Sequence, residues 1–122
     1  AGVRDVAVHA FLDGRDMPPK SAEPSLRALE ATCARLGNAR IASVSGRYWA
    51  MDRDGRWERV LRAWDAIVEA RADHVAPTAL AALEAAYARG ETDEFVAPTV
   101  VGAARAMHDG VLRQAQDERA SP

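Results

Sequence analysis

Two short apolar segments, each running into a charged segment that contains glycine, bracket a helical pattern within about forty residues. Nothing else in the chain limits the possible folds as strongly. The first segment, Asp5-Val6-Ala7-Val8-His9-Ala10-Phe11-Leu12, alternates as a strand. Val6, Val8, Ala10 and Leu12 fall on one face, with Ala7 and Phe11 on the other. Apolar residues on both faces predict a strand covered on both sides, as in a parallel sheet. Asp13-Gly14 stops it.

A helix should follow, with Ser21 as N-cap and Pro24 tolerated in its first turn. Ala22, Leu26, Leu29, Cys33 and Leu36 step by four and three residues and draw one apolar stripe. Gly37-Asn38 closes the helix with residues that accept a left-handed backbone. Ile41 to Ser45 is the second strand, ending at Gly46. Strand, helix and strand make a βαβ unit, hence a parallel pair with a right-handed crossover.

Beyond it, Trp57, Val60, Leu61, Trp64, Ile67 and Val68 share one helical face, and the spacing of the two tryptophans argues that this face packs inward. A further helix is expected over Thr78 to Arg89, with Leu80, Leu83 and Tyr87 inward and Gly90 as its stop. Phe95 to Val101 reads as a C-terminal strand, with Pro98 favouring an edge or an irregular end. The sum is an α/β fold: part of a three-layer α/β/α arrangement with parallel strands, over residues 1–101. Residues 102–122 are expected to be a poorly ordered tail, ending in the polar stretch Gln114 to Pro122, which has no apolar period.

Bulk properties exclude several classes of function. A net charge of -2 offers no electrostatic footprint for nucleic acid or a membrane surface. No apolar run approaches the ~18 residues of a membrane span. The single cysteine, Cys33, excludes an internal disulfide and suits a reducing cytoplasm. His9, His74 and His108 are too scattered for a local metal motif, so no metal ligand is assigned in this chain. His9, within a strand, reads as a core or supporting histidine. Ser43 and Ser45 lack the Gly-x-Ser-x-Gly pattern and read as ordinary strand-end serines.

In open α/β sheets ligands collect at the carboxyl ends of the strands, where helix N-termini and loops are free of the core. The first strand delivers Asp13-Gly14-Arg15-Asp16 there; the second delivers Gly46-Arg47-Tyr48 and then Met51-Asp52-Arg53-Asp54. Arg15, Arg47 and Arg53 can converge, each offering a planar fork that matches a carboxylate or phosphate. Asp16, among them, is a candidate base. From spacing alone, two readings stay open: a site for a small phosphorylated acid, or charged loops that only build turns and exposed ion pairs.

Three stretches carry a resemblance. They are His9-Ala10-Phe11-Leu12-Asp13-Gly14-Arg15-Asp16, the run from Ile41 to Asp54 that contains Ser45-Gly46-Arg47-Tyr48-Trp49-Ala50-Met51-Asp52-Arg53-Asp54, and Asp93-Glu94-Phe95-Val96-Ala97-Pro98-Thr99-Val100. In order and interval they resemble the cofactor-independent phosphoglycerate mutases, from about Arg4 to Val101. Trp49 stands where that family more often has tyrosine.

The resemblance implies interconversion of 3-phosphoglycerate and 2-phosphoglycerate in glycolysis, through a phosphoserine and without 2,3-bisphosphoglycerate. It implies two manganese or magnesium ions in a phosphatase-like domain that would be the partner of this phosphotransferase domain. By position, Arg15 matches a substrate-contacting arginine and Asp16 the acid/base aspartate, while Arg47 and Arg53 match arginines that bind the substrate's anionic groups. The family's Gly-Gly-Val-His-Ser-His and Asn-Phe-Arg-Pro-Asp-Arg segments are not found, and Arg105 and Arg113 do not match the latter. The expectation is therefore a mutase fragment, inactive alone, with a non-catalytic anion-binding module or a functionless truncated product as the alternatives.

Overall fold

A computed structural model describes residues 4–102. The elements are β1 (Val6–Leu12), α1 (Glu23–Leu36), β2 (Ala39–Gly46), α2 (Arg47–Ala50), α3 (Trp57–Val68), β3 (His74–Ala76), α4 (Ala79–Ala88), a 3-10 turn at Asp93–Phe95, and β4 (Thr99–Val101). The fold is α/β, and the βαβ unit lies where the sequence pattern puts it, with β1 and β2 parallel. The sheet as a whole is mixed. Its order is β1-β2-β4-β3, with β4 antiparallel to β2 and parallel to β3.

The core lies between the sheet and two helices. Leu12, Ile41, Val44 and Val101 from the strands meet Leu26 and Cys33 of α1 and Ala79, Ala82, Leu83 and Ala86 of α4. Three of those four α4 residues are alanines, which lets the helix approach the strands closely; Leu80 and Tyr87, expected inward, are only partly buried. Thr78 caps α4 by accepting the Ala81 N–H at 3.0 Å. α1 behaves differently at its start. Its N-cap is Ala22, with no side-chain cap, and the expected cap Ser21 instead donates its hydroxyl to the Pro18 carbonyl. Gly37 ends α1 at φ 77°, its N–H returning to the Cys33 carbonyl.

Three expectations need correction. β3 has no signal in the sequence, because three residues cannot display a period. The C-terminal strand is shorter than expected, since Asp93–Phe95 forms a 3-10 turn. That strand is also not an edge: Pro98 sits just ahead of β4, where its missing N–H costs no ladder bond, so the irregular end holds and the edge does not. The third correction concerns α3. Ala63 and Ala66 are its buried residues, and the helix packs on α2 and β2. Trp57, Leu61, Trp64 and Val68 are exposed, Trp57 at 78%. Small residues three apart allow close packing, so the face that the large residues mark is the outer one. Residues 103–122, to which the expected tail largely belongs, lie outside the described residues.

Candidate functional site

The site is set by strand register. A shift between Val8 and His9 brings His9 opposite Ser43 and carries the pairing on to Leu12 opposite Gly46. Both strands therefore stop at the same level, and the next residues, Asp13 and Arg47, emerge side by side. Arg47 Nη1 donates to Asp13 Oδ1 at 2.5 Å and to Asp16 Oδ2 at 3.3 Å. The Arg47 hydrogen bond, reinforced by the N–H groups of Asp16 and Arg15 against the opposing effect of burial, holds the Asp13 carboxyl below the usual carboxylate range. The same bond, opposed by burial and aided by Asp16, raises Arg47 above its ordinary value. The Asp13 carboxylate also accepts the N–H of Met17 at 3.2 Å, so one side chain shapes the whole turn.

The 3-10 turn closes against both strand ends. A Cβ on Gly46 would collide with the carbonyl oxygens of Asp93 and Glu94, and one on Gly14 would come within 2.6 Å of the Glu94 nitrogen. The two glycines are thus required by close approach, Gly14 also by its φ of 68°. Asp93 anchors the turn. Its buried carboxylate accepts the Ser21 N–H at 2.8 Å and the Tyr87 hydroxyl, while its own N–H donates to the Pro19 carbonyl. Burial first, and the Asp93 carboxylate second, push the Tyr87 hydroxyl up.

What results is an open groove of about 520 Å³, with Arg15, Arg47, Arg53 and Arg59 in its wall. Glu94 stands beside Arg15 at 3.6 Å. The structure so brings the three arginines singled out in the sequence to one groove. Asp16 touches Arg47 but is not part of the wall, and its carboxylate is 89% exposed. Arg59 and Glu94 were not foreseen. Arg59 hides in the regular pattern of α3, and Glu94 reaches the groove only because residues 93–95 coil rather than extend. His9 places Nδ1 2.7 Å from the Ser43 hydroxyl, a supporting contact within the sheet.

A second hollow of about 300 Å³, near Arg62, Asp65, Arg71 and His74, mixes both signs of charge and has no strand end feeding it. Among the described residues no three His, Cys, Asp or Glu side chains are grouped to hold a metal ion. The two metal ions that the resemblance implies would belong to the partner domain, and no chemical step is assigned through them to these residues. No helix among them is long and apolar enough to cross a membrane.

Residues 1–116 match the family model described as BPG-independent PGAM N-terminus (iPGM_N). The chain belongs to that family. Among its iPGM_N relatives, the 2,3-bisphosphoglycerate-independent phosphoglycerate mutase of Pseudomonas putida is 57% identical over 109 residues, 89% of this chain and 21% of the relative. That of Serratia proteamaculans is 56% identical over 113 residues, 89% of this chain and 22% of the relative. A crystal structure of Leishmania mexicana phosphoglycerate mutase at low cobalt concentration superposes with a TM-score of 0.76 at 35% identity, covering 82% of this chain and 20% of that one. The chain spans about a fifth of the length of these relatives.

Proposed function

We propose that this chain is the substrate-binding part of an isomerase, a phosphoglycerate mutase that interconverts 3-phosphoglycerate and 2-phosphoglycerate in glycolysis. One observation carries the reading: in a member of the iPGM_N family, Arg15 and Arg47 from two register-matched strand ends share one groove with Arg53 from the loop after α2. Both substrates carry a carboxylate and a phosphate, and planar guanidinium forks suit each. Arg15, Arg47 and Arg53 hold these groups. Arg47 exchanges part of its bonding to Asp13 and Asp16 for the substrate, which leaves Asp16 beside the glycerate hydroxyls to accept and return a proton.

On this reading residues 1–101 are part of a phosphotransferase domain working in the cytoplasm. The serine that carries the phosphoryl group and the two manganese or magnesium ions lie in the partner, a phosphatase-like domain, and 2,3-bisphosphoglycerate takes no part. These 122 residues alone should show no turnover. A chimera tests the proposal: residues 4–101 replace the matching segment of the Pseudomonas putida mutase. Turnover should survive the exchange, and Arg47→Ala or Asp16→Asn within it should then cut kcat/KM by about a hundredfold or more. A folded chimera that stays fully active after both substitutions overturns the assignment. A folded but inactive chimera whose groove still binds 3-phosphoglycerate favours a non-catalytic anion-binding module.

A further inference from the structure

The groove's arginines are not equally supported. Arg47 is fixed at a strand end, whereas Arg53 sits on the exposed loop between α2 and α3. That loop is pinned from one side. The Asp52 side chain, 2% exposed, accepts the Arg56 N–H at 2.7 Å and Arg59 Nη1 at 3.1 Å. Burial alone would push the Asp52 carboxyl up, but the N–H groups of Arg56 and Asp54 and the Arg59 charge together hold it below its ordinary value. Arg59 reaches Asp52 from the first turn of α3 and stacks over the Tyr48 ring, with Cζ 3.9 Å from the ring centroid. Tyr48 directly follows Arg47 in α2 and leans on Phe95, at 5.0 Å between ring centres. One guanidinium therefore touches both segments that present anion-binding arginines.

We infer that Arg59 is a positioning residue, which through Asp52 and Tyr48 holds the Arg53 loop at a fixed distance from Arg47 and so sets the spacing of anionic groups the groove accepts. The inference rests on the reading of the groove as a phosphoglycerate site. It assigns Arg59 no substrate contact, because its Nη1 is shared between Asp52 and, at 3.6 Å, Asp54. A ligand with a single anionic group needs only one arginine and does not sense the spacing. A ligand with a carboxylate and a phosphate does.

The test is an amide NMR titration of the 122-residue chain with 3-phosphoglycerate and, separately, inorganic phosphate. The original chain is compared with Asp52→Asn, Arg59→Gln and Arg59→Lys. Asp52→Asn and Arg59→Gln should each weaken 3-phosphoglycerate by about tenfold and inorganic phosphate by less than about twofold, with Arg59→Lys recovering part of the loss. In the same two variants, ¹⁵N relaxation should show a loosened Arg53 and an unaltered Arg15. Loss of affinity in Arg59→Gln but not in Asp52→Asn would make Arg59 a direct ligand and overturn the inference, as would an Arg53 that stays equally ordered in both. If the original chain binds no 3-phosphoglycerate, the site reading fails, and the relaxation of Arg53 still decides whether the clamp exists.

Discussion

The strand-end groove and the outer face of α3 are opposite kinds of surface on one small fold. In the groove most charges have a partner, through Arg47 with Asp13, Arg15 with Glu94 and Arg59 with Asp52. Its backbone is fixed by two glycines that admit the 3-10 turn. On α3, Trp57, Leu61, Trp64 and Val68 line up in the open, and the first three flank a shallow apolar hollow. The groove is built within the described residues, whereas the α3 face has no partner among them. The difference teaches that a strong amphipathic pattern announces a covered face without saying which part of the protein covers it.

The sharpest way to break the comparison is to disturb the groove's backbone. Gly46→Ala forces a methyl group into the carbonyls of Asp93 and Glu94 and should cost on the order of 3 kcal/mol in urea unfolding. Asp93→Ala comes next. It leaves the Ser21 N–H and the Tyr87 hydroxyl without their acceptor, and a loss of about 2 kcal/mol is expected from the same measurement. On α3, Leu61→Ser or Trp57→Ser should change stability by less than about 0.5 kcal/mol, because these side chains are already exposed. A large loss there would show that the face is covered in solution.

The pH dependence sharpens the groove's side of the contrast. Asp13 has a depressed pKa, so its contribution is present above the ordinary carboxylate value and is lost as pH falls through the lower, folded-state value. Unfolding midpoints of the original chain and Asp13→Asn should differ at neutral pH and converge as the medium becomes strongly acidic. A difference that persists unchanged in acid would contradict the Asp13–Arg47 account.

The strand ends were readable because glycine and charge punctuate them: Asp13-Gly14 and Gly46-Arg47 mark where two strands stop and what they deliver. The relative level of those stops was not readable. It depends on the register shift after Val8, which places Leu12 opposite Gly46 and makes Asp13 and Arg47 neighbours. Short elements escaped for a related reason, since β3 and the 3-10 turn are defined by their partners rather than by a period. On α3 the large apolar residues mark a face but not its direction, because the residues the helix buries are the small Ala63 and Ala66. Arg59 could have been suspected from Asp52, whose position four residues ahead of Arg56 suits a carboxylate closing a helix start.

The central claim is that Arg15, Arg47 and Arg53 form one site for a small phosphorylated acid. It is tested most directly by titrating the chain with 3-phosphoglycerate, with sulfate as control, and following backbone amide shifts. Saturable shifts confined to the loops around Arg15, Arg47 and Arg53 are expected, tighter than with sulfate and with a dissociation constant of about 1 mM, or roughly -4 kcal/mol. Shifts of equal size and affinity with sulfate, or shifts centred away from those loops in a folded chain, would contradict it.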